Sequence, residues 1–374
     1  MTAPAKPLHG IKVVELARIL AGPWCGQLLA DLGAEVIKVE RPGAGDDTRH
    51  WGPPFLYDAA GNSLDAAYYH SANRGKSGVA IDIATPEGQA QARALIAEAD
   101  VVIENYKVGG LVKYGLDHAS LSATHPRLIT CSITGFGQTG PYAHRAGYDF
   151  IIQGMGGIMS LTGDPDGAPQ KAGIAYADIF TGVYSAVAIL AALRRREVDG
   201  VGAHIDMALL DTQVAVLANQ ALNWMASGKV PHRMGNGHAN LVPYQAFACA
   251  DGELIIAVGN DSQFAKLCEV LGLPLAADER FATNPGRVAH RDALIPLLAR
   301  AILDWRKQDL ADALEAKGVP AGSINTVAEV FADPQVIARG MRVALDGVPG
   351  VASPIVIDGE RMVADTPSPP RADR

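Results

Sequence analysis

Between Ile11 and Thr134 the chain alternates two periods, and this restricts its fold more than any other feature. Short β-branched runs, IKVVEL, EVIKVE, VAIDI, VVIEN and LITCSIT, are separated by helix-periodic stretches such as CGQLLADLG and QAQARALIAEA. Strands linked through helices pair in parallel and are covered on both faces, so an α/β domain built on a parallel sheet is expected. One helix start is explicit. Thr85 is placed to cap, Pro86 suits the first turn and Glu87 complements the helix dipole. The loop 41–57, RPGAGDDTRHWGPPFLY, is too long and too rich in Gly and Pro to be only a connector.

Beyond this region, helical periods run from Asp178 through IFTGVYSAVAILAALRRR and from about Asp206 to Ser227. VPYQAFACADGELIIAVGN reads as two strands turning at Ala250-Asp251-Gly252, with helices after it through Trp305 and Leu314. The expected division is a large Rossmann-like domain over 1–205, a smaller α+β domain over 206–319, and a return to the large domain over 320–374, with short strands rejoining its sheet. The 374 residues, 48% of them hydrophobic, suffice for two cores.

Charge narrows the ligand. With 40 acidic against 32 basic side chains the formal charge is -8, which argues against a nucleic-acid or membrane-surface binder. Any anionic ligand must therefore meet a local cation cluster. Arg41, Arg74, Lys76, Lys113 and Arg145 fall at strand ends or in loops, where open parallel sheets bind ligands. Cys25, Cys131, Cys249 and Cys268 have neither disulfide nor zinc spacing, so reduced thiols and no metal site are expected. No apolar leader precedes IKVVEL, and the run VYSAVAILAALRRR is about half of the ~20 residues that span a bilayer, so a cytoplasmic protein is expected.

Gly135, Gly137 and Gly140 match a dinucleotide-binding pattern after the strand LITCSIT. That pattern needs an apolar helix next and an acid about 20 residues on. Pro141, Tyr142, Ala143, His144 and Arg145 follow instead, so a glycine-rich active-site loop or a simple turn is expected rather than a nicotinamide site. Asp178 opens an apolar helix, where a carboxylate serves as a helix cap or, in a lined pocket, as a fixed nucleophile. MGNGHANLVPY, with Gly235, Asn236, Gly237 and His238, reads as a mobile loop able to close over a site.

The segments LARILAGPWCGQLLADLGAEVIKVERPGAGDDTRHWGPPF, NRGKSGVAIDI, VVIENY, SITGFGQTGPYAHRAGYD, GIAYADIFTG and VPYQAF together resemble the class III coenzyme A transferases, across essentially the whole chain. ERPGAGDDTR, RAGYD and VPYQAF most resemble the branch that moves CoA from succinyl-CoA to dicarboxylic acids such as glutarate or hydroxymethylglutarate. The resemblance implies an interlaced homodimer, with coenzyme A thioesters as substrates and no permanently bound cofactor. It implies that Asp178 is the nucleophile, passing through an aspartyl anhydride and an aspartyl-CoA thioester. It places Arg18, Ala21, Arg41, Arg74, Lys76, Ile81, Asn105, Tyr106, Lys113 and Arg145 at or beside CoA contacts. Leu20, Tyr148 and Asp149 fall near the substrate, and Gly235, Asn236, Gly237 and His238 in a glycine-rich lid.

The oxalate enzymes of that family carry His and Gln where Arg18 and Leu20 stand, which points away from oxalate and leaves Arg18 to hold a second carboxylate. Two other readings compete. One is a 2-methylacyl-CoA racemase of the same fold, whose matching turn supplies a histidine where this chain has Tyr148, a poor base at neutral pH. The other is a non-catalytic CoA-binding homologue, opposed by the intact Asp178.

Overall fold

A computed structural model describes residues 6–372. Six strands, β1 (Lys12–Glu15), β2 (Glu35–Glu40), β3 (Lys76–Ala80), β4 (Val101–Glu104), β5 (Ile129–Thr134) and β6 (Ala203–Ala208), make one parallel sheet. Its order is β3-β2-β1-β4-β5-β6, so the direction of winding reverses between β1 and β4. In open sheets of this kind the crevice beyond the strand carboxyl ends at the reversal is where ligands bind.

The main covering helices are α1 (Ala21–Asp31), α2 (Pro86–Ala97), α3 (Asp149–Met155) and α4 (Tyr176–Asp199). One face, with Val13, Val36, Val101, Ile103 and Cys131, packs in a single core with α1, α3 and α4. The other face, with Val14, Val39 and Val102, packs with Ala92 and Ile96 of α2. Near-continuous apolar strands are what burial on both faces requires. Thr85 caps α2 by accepting from Gly88 N at 3.0 Å, with Pro86 in the first turn, as its sequence indicates. Among the described residues α4 is the one helix long and apolar enough to cross a membrane, by length and composition. Its buried side, including Ala177, Ala186, Ile189 and Leu193, belongs to the first core.

The chain divides into two compact units. The first holds the residues up to Ile158, Lys171–Ala218 and the residues from Pro334 on; the second holds Met159–Gln170 and Asn219–Asp333. The boundaries fall at Ala218 and Asp333 rather than at 206 and 319, and the stretch expected as one helix from Asp206 begins as a strand. His204-Ile205-Asp206-Met207 pairs in register with β5, and helices Leu209–Ala215 and Ala218–Ser227 follow. In the second unit β7 (Tyr244–Cys249) and β8 (Gly252–Ala257) form the hairpin read from the sequence. β9 (Ala321–Ser323) pairs with β8, and α5 (Asp261–Leu271), α6 (Arg291–Ile302) and α7 (Lys307–Glu315) close the core around Leu254, Phe264, Leu298 and Leu310.

The C-terminal return corrects the expectation of strands rejoining the first sheet. Arg342–Leu345 pairs with Val348–Val351, and Val356–Ile357 with Glu360–Arg361, as separate hairpins. The tail is fastened by side chains instead. Met362 enters the first core, Ala364 N donates to Asp31 at 2.8 Å and Arg49 Nη2 donates to Pro369 O at 3.2 Å.

Candidate active site

β1 ends at Glu15 and β4 at Glu104, so Leu16–Leu20 and Asn105-Tyr106 emerge side by side where the sheet reverses. The Asn105 amide joins them. Its Oδ1 accepts from Arg18 N at 3.0 Å and its Nδ2 donates to Arg18 O at 2.6 Å. The next residue, Ile19, has φ +73°. A β-branched side chain in that left-handed region costs about 1–2 kcal/mol and persists only when its surroundings enforce it. Asp46 supplies the enforcement, accepting from Ile19 N at 3.3 and 3.4 Å. Asp46 is itself fixed by Lys38 Nζ at 2.9 Å and by Thr48 N and Oγ1 at 3.0 and 2.7 Å. The long 41–57 loop is therefore a brace. Its fully buried Arg49 also pairs with Glu40 at 2.6 Å and Asp65 at 2.7 Å.

The braced loops wall a cavity of about 430 Å³, lined by Arg18, Leu20, Ala21, Asn105, Tyr106, Lys113, Arg145, Tyr148 and Asp178. A second cavity of about 380 Å³ shares Arg18, Tyr106 and Tyr114 with it and adds Arg41 and Ile81. Most residues named from the sequence thus converge. Arg18, Arg41, Lys107, Lys113 and Arg145 stand on these walls, with Lys38 held internally by Glu15 and Asp46, in a chain of net charge -8. Arg145 lies over the rings of Tyr142 (4.6 Å) and Phe136 (5.4 Å), and Lys113 over Tyr114 (4.7 Å). Arg18 Nη1 pairs with Asp47 Oδ2 at 2.5 Å, on a partly exposed side chain free to change partner. Guanidinium and ammonium groups over aromatic faces suit a ligand carrying phosphates, an aromatic base and carboxylates.

Asp178 stands in the first turn of α4 and is not its cap. The cap position is Ala175, which has no side-chain acceptor. Asp149, the first residue of α3, does that work: its Oδ1 accepts from Ala177 N at 2.8 Å and Asp178 N at 3.4 Å. Asp149 is absent from the lining of the cavity that holds Asp178, so its observed role differs from the substrate contact expected of it. Burial, and then the charge of Asp149, push the Asp178 carboxyl from its ordinary value up to about 7. Burial followed by the Asp178 charge pushes Tyr68 up to about 12, which puts this tyrosine in the same electrostatic neighbourhood. Nothing in the spacing of AAYYH marks it.

The glycine pattern is a turn. Gly137 N donates to Thr134 Oγ1 at 3.0 Å, and no helix begins before Asp149. The backbones of Gly135 and Gly147 touch, leaving no room for a Cβ at either, which brings the Arg145–Tyr148 segment against the end of β5.

Two expected CoA contacts are corrected. Arg74 is buried in a bidentate pair with Asp31 (2.7 and 3.0 Å) and donates to Val351 O. Lys76 is buried with Nζ on Glu15 Oε1 (3.0 Å), Pro23 O (2.8 Å) and Asn73 Oδ1 (2.9 Å). Buried and held on internal acceptors, neither side chain lines the two cavities or is presented to a phosphate there. Gly235, Asn236, Gly237 and His238 lie in the second unit. There His238 Nδ1 accepts from the backbone of Asn240 (3.0 Å) and Leu241 (3.1 Å), and its ring packs on Tyr244. All four cysteines are buried free thiols.

Residues 8–373 match the family model described as CoA-transferase family III. The chain is 58% identical over 369 residues to a succinate–glutarate CoA-transferase of Agrobacterium fabrum, covering 97% of this chain and 92% of that one. It is 43% identical to the human succinyl-CoA:glutarate CoA-transferase over 90% of this chain and 76% of that one. A crystal structure of a CAIB/BAIF family protein from Brucella suis superposes with a TM-score of 0.88 at 60% identity, covering 99% of this chain and 97% of that one.

Proposed function

The chain belongs to CoA-transferase family III, and from that premise we propose that it moves coenzyme A from succinyl-CoA to a dicarboxylic acid of the glutarate type, with Asp178 as the covalent carrier. The observation that carries the assignment of the carrier is that Asp178 is, among the described residues, the one acidic side chain on the wall of a cavity otherwise supplied with cations.

In this reading the Asp178 carboxylate attacks the succinyl thioester carbonyl, the C–S bond breaks, and CoA thiolate leaves an aspartyl–succinyl anhydride. The thiolate attacks the aspartyl carbonyl, releasing succinate and leaving an aspartyl-CoA thioester. The acceptor carboxylate attacks that thioester, re-forming an anhydride and thiolate. Attack of the thiolate on the acceptor's acyl carbonyl yields the new acyl-CoA and frees Asp178. Each covalent state conserves the acyl activation, so no separate energy source enters. Each also removes a charge that burial and Asp149 disfavour, which lowers the covalent states relative to the resting ion. CoA is a substrate throughout, and no resident cofactor takes part.

Arg41, Ile81, Tyr106, Lys113 and Arg145 are assigned to the CoA side, the cations to its phosphates and Tyr106 to its base. Arg18 is assigned to the distal carboxylate of the acceptor, exchanging Asp47 for it. A panel of mono- and dicarboxylates assayed with succinyl-CoA should give glutaryl-CoA as a major product by mass. Arg18→Met should raise KM for the dicarboxylate by about 10-fold or more with little change in KM for succinyl-CoA. Monocarboxylates accepted as well as glutarate, or an unchanged KM in the variant, would remove Arg18 from this role.

Assembly as an interlaced homodimer in the cytoplasm belongs to the same proposal. It is supported by apolar side chains left exposed on the first unit, among them Phe150 and Ile151 on α3 and Val183, Tyr184 and Val187 on α4. Light scattering should return the mass of two chains, and a stable monomer would count against threading.

A further inference from the structure

We infer that Asp149 is a positioning residue for Asp178: its carboxylate, reaching from α3, caps the helix that carries Asp178 and fixes where that side chain meets the cavity. The inference rests on the reading of Asp178 as nucleophile.

The first N–H groups of a helix have no partner within it and need one from outside when held away from water. α4 has no cap of its own, since Ala175 lacks an acceptor. Asp149 Oδ1 takes Ala177 N at 2.8 Å and Asp178 N at 3.4 Å, so the backbone of the nucleophile is itself gripped. The grip is anchored from behind. Gln153, one turn along α3 and fully buried, donates from Nε2 to Asp149 Oδ2 at 2.7 Å and to Ile174 O at 3.3 Å, and accepts from Ala172 N at 2.8 Å. α3 and the segment leading into α4 are thereby tied to the same carboxylate, 29 residues before the nucleophile it serves.

Asparagine or serine would cap a helix as well as aspartate does. What only aspartate adds is a negative charge beside the one that must react. The charged and titratable groups around Asp178 are Asp149 from α3, Tyr68 from the short helix Ala67–His70, and Arg18, Tyr106, Lys107, Lys113, Tyr114, Arg145 and Tyr148 from the cavity wall. Tyr68, pushed up to about 12, stays neutral at working pH, which leaves Asp149 as the anion acting on Asp178. A resting carboxylate raised in energy by that neighbour is the stronger nucleophile, and its acylation removes the repulsion.

The test is the pH dependence of kcat/KM for the succinyl-CoA and glutarate exchange in Asp149→Asn and Asp149→Ser, with Asp178→Asn measured alongside. Both variants keep an oxygen for Ala177 N but lose the acceptor for Gln153 Nε2, so both should fold and melt moderately below the parent. The acid limb of their profiles should move down by about one pH unit, and the rate at pH 8 should fall about 10-fold. Where turnover is too slow for a profile, a carbon-13 titration of the Asp178 carboxyl in the resting protein reads the same shift. An acid limb, or a resting titration, left at the parent's position in both variants overturns the inference, whatever their rates, because a merely structural cap predicts that result. If Asp178→Asn still exchanges CoA, the nucleophile reading fails and this inference with it. If Asp178→Asn is inert and the limb does not move in the Asn and Ser variants, Asp149 alone loses its role.

Discussion

Asp178→Asn is expected to abolish CoA exchange, lowering kcat on the order of 10⁴-fold, and at the same time to make the protein more stable at pH 8. The first effect follows from chemistry. The amide has nearly the volume of the carboxylate but cannot form the anhydride, and among the described residues no other carboxylate lines that cavity. The second follows from linkage. The Asp178 carboxyl sits at about 7 in the fold, above its value in an unfolded chain, so folding disfavours its ionised form. That penalty is absent below about pH 4, where both states are protonated. It grows as pH rises and is complete above about 7. Allowing for partial solvent access, it is on the order of 2 kcal/mol at pH 8. Calorimetry should therefore find Asp178→Asn melting above the parent at pH 8 and level with it at pH 4. A Tm difference that ignores pH, or exchange within 10-fold of the parent, contradicts the account. A residue that destabilises the fold where it works is the expected signature of function rather than architecture.

Glu15→Gln should cost about 3–5 kcal/mol at pH 7, the loss expected when one partner is taken from a buried ion pair. Glu15 is fully buried at the end of β1 and serves two lysines: its Oε1 accepts from Lys38 and Lys76, each at 3.0 Å. Gly26 of α1 packs so close to this carboxylate that a Cβ there would collide with it. Lys38 retains Asp46 at 2.9 Å, whereas Lys76 keeps only the neutral acceptors Pro23 O and Asn73 Oδ1. Burial already holds Lys76 down to about 8 against the pull of Glu15. In the variant its ammonium is given up more readily still. For a lysine depressed in the fold, the unfolded chain binds the extra proton, so stability rises with pH across the interval between the folded and unfolded values. Denaturant titrations should show the deficit of Glu15→Gln largest at pH 7 and shrinking toward pH 10. Glu15→Leu combined with Lys76→Met should recover much of it, since apolar packing often replaces a buried pair without loss. A deficit under 1 kcal/mol, or one that grows with pH, would show that these charges do not hold the strand ends beneath the candidate site.

These two sites mark where sequence reading succeeds and where it stops. Local signals are legible: four strands of the sheet from their apolar runs, the Thr85 cap with Pro86, and the hairpin about Ala250-Asp251-Gly252, while VAIDI overlaps the third strand, Lys76–Ala80, only at Val79-Ala80. Each depends on neighbours a few residues away. β6 is hidden because AHIDMA is short and runs straight into a helix at Leu209, so the helical period extends back into it. Arg74 and Lys76 look like ligands for an anion because a strand-end cation carries no mark of the Asp31 or Glu15 that will face it. Asp149 looks like a substrate contact for the same reason, since its partners are 28 and 29 residues away on another helix. Ile19 could not be suspected, because a left-handed φ at a β-branched residue contradicts local preference and is imposed by Asp46 from a different loop. What did converge, Arg18, Asn105, Tyr106, Lys113, Arg145 and Asp178 around one cavity, was placed by resemblance across the whole chain rather than by any single spacing.

The central claim is that Asp178 carries the acyl group and then CoA. Hydroxylamine added during steady-state exchange between succinyl-CoA and glutarate, followed by peptide mass analysis, tests it directly. The account predicts a hydroxamate at Asp178 and at no other carboxylate, accumulating as activity is lost. Glutaryl-CoA continuing to form while Asp178 stays unmodified would contradict it.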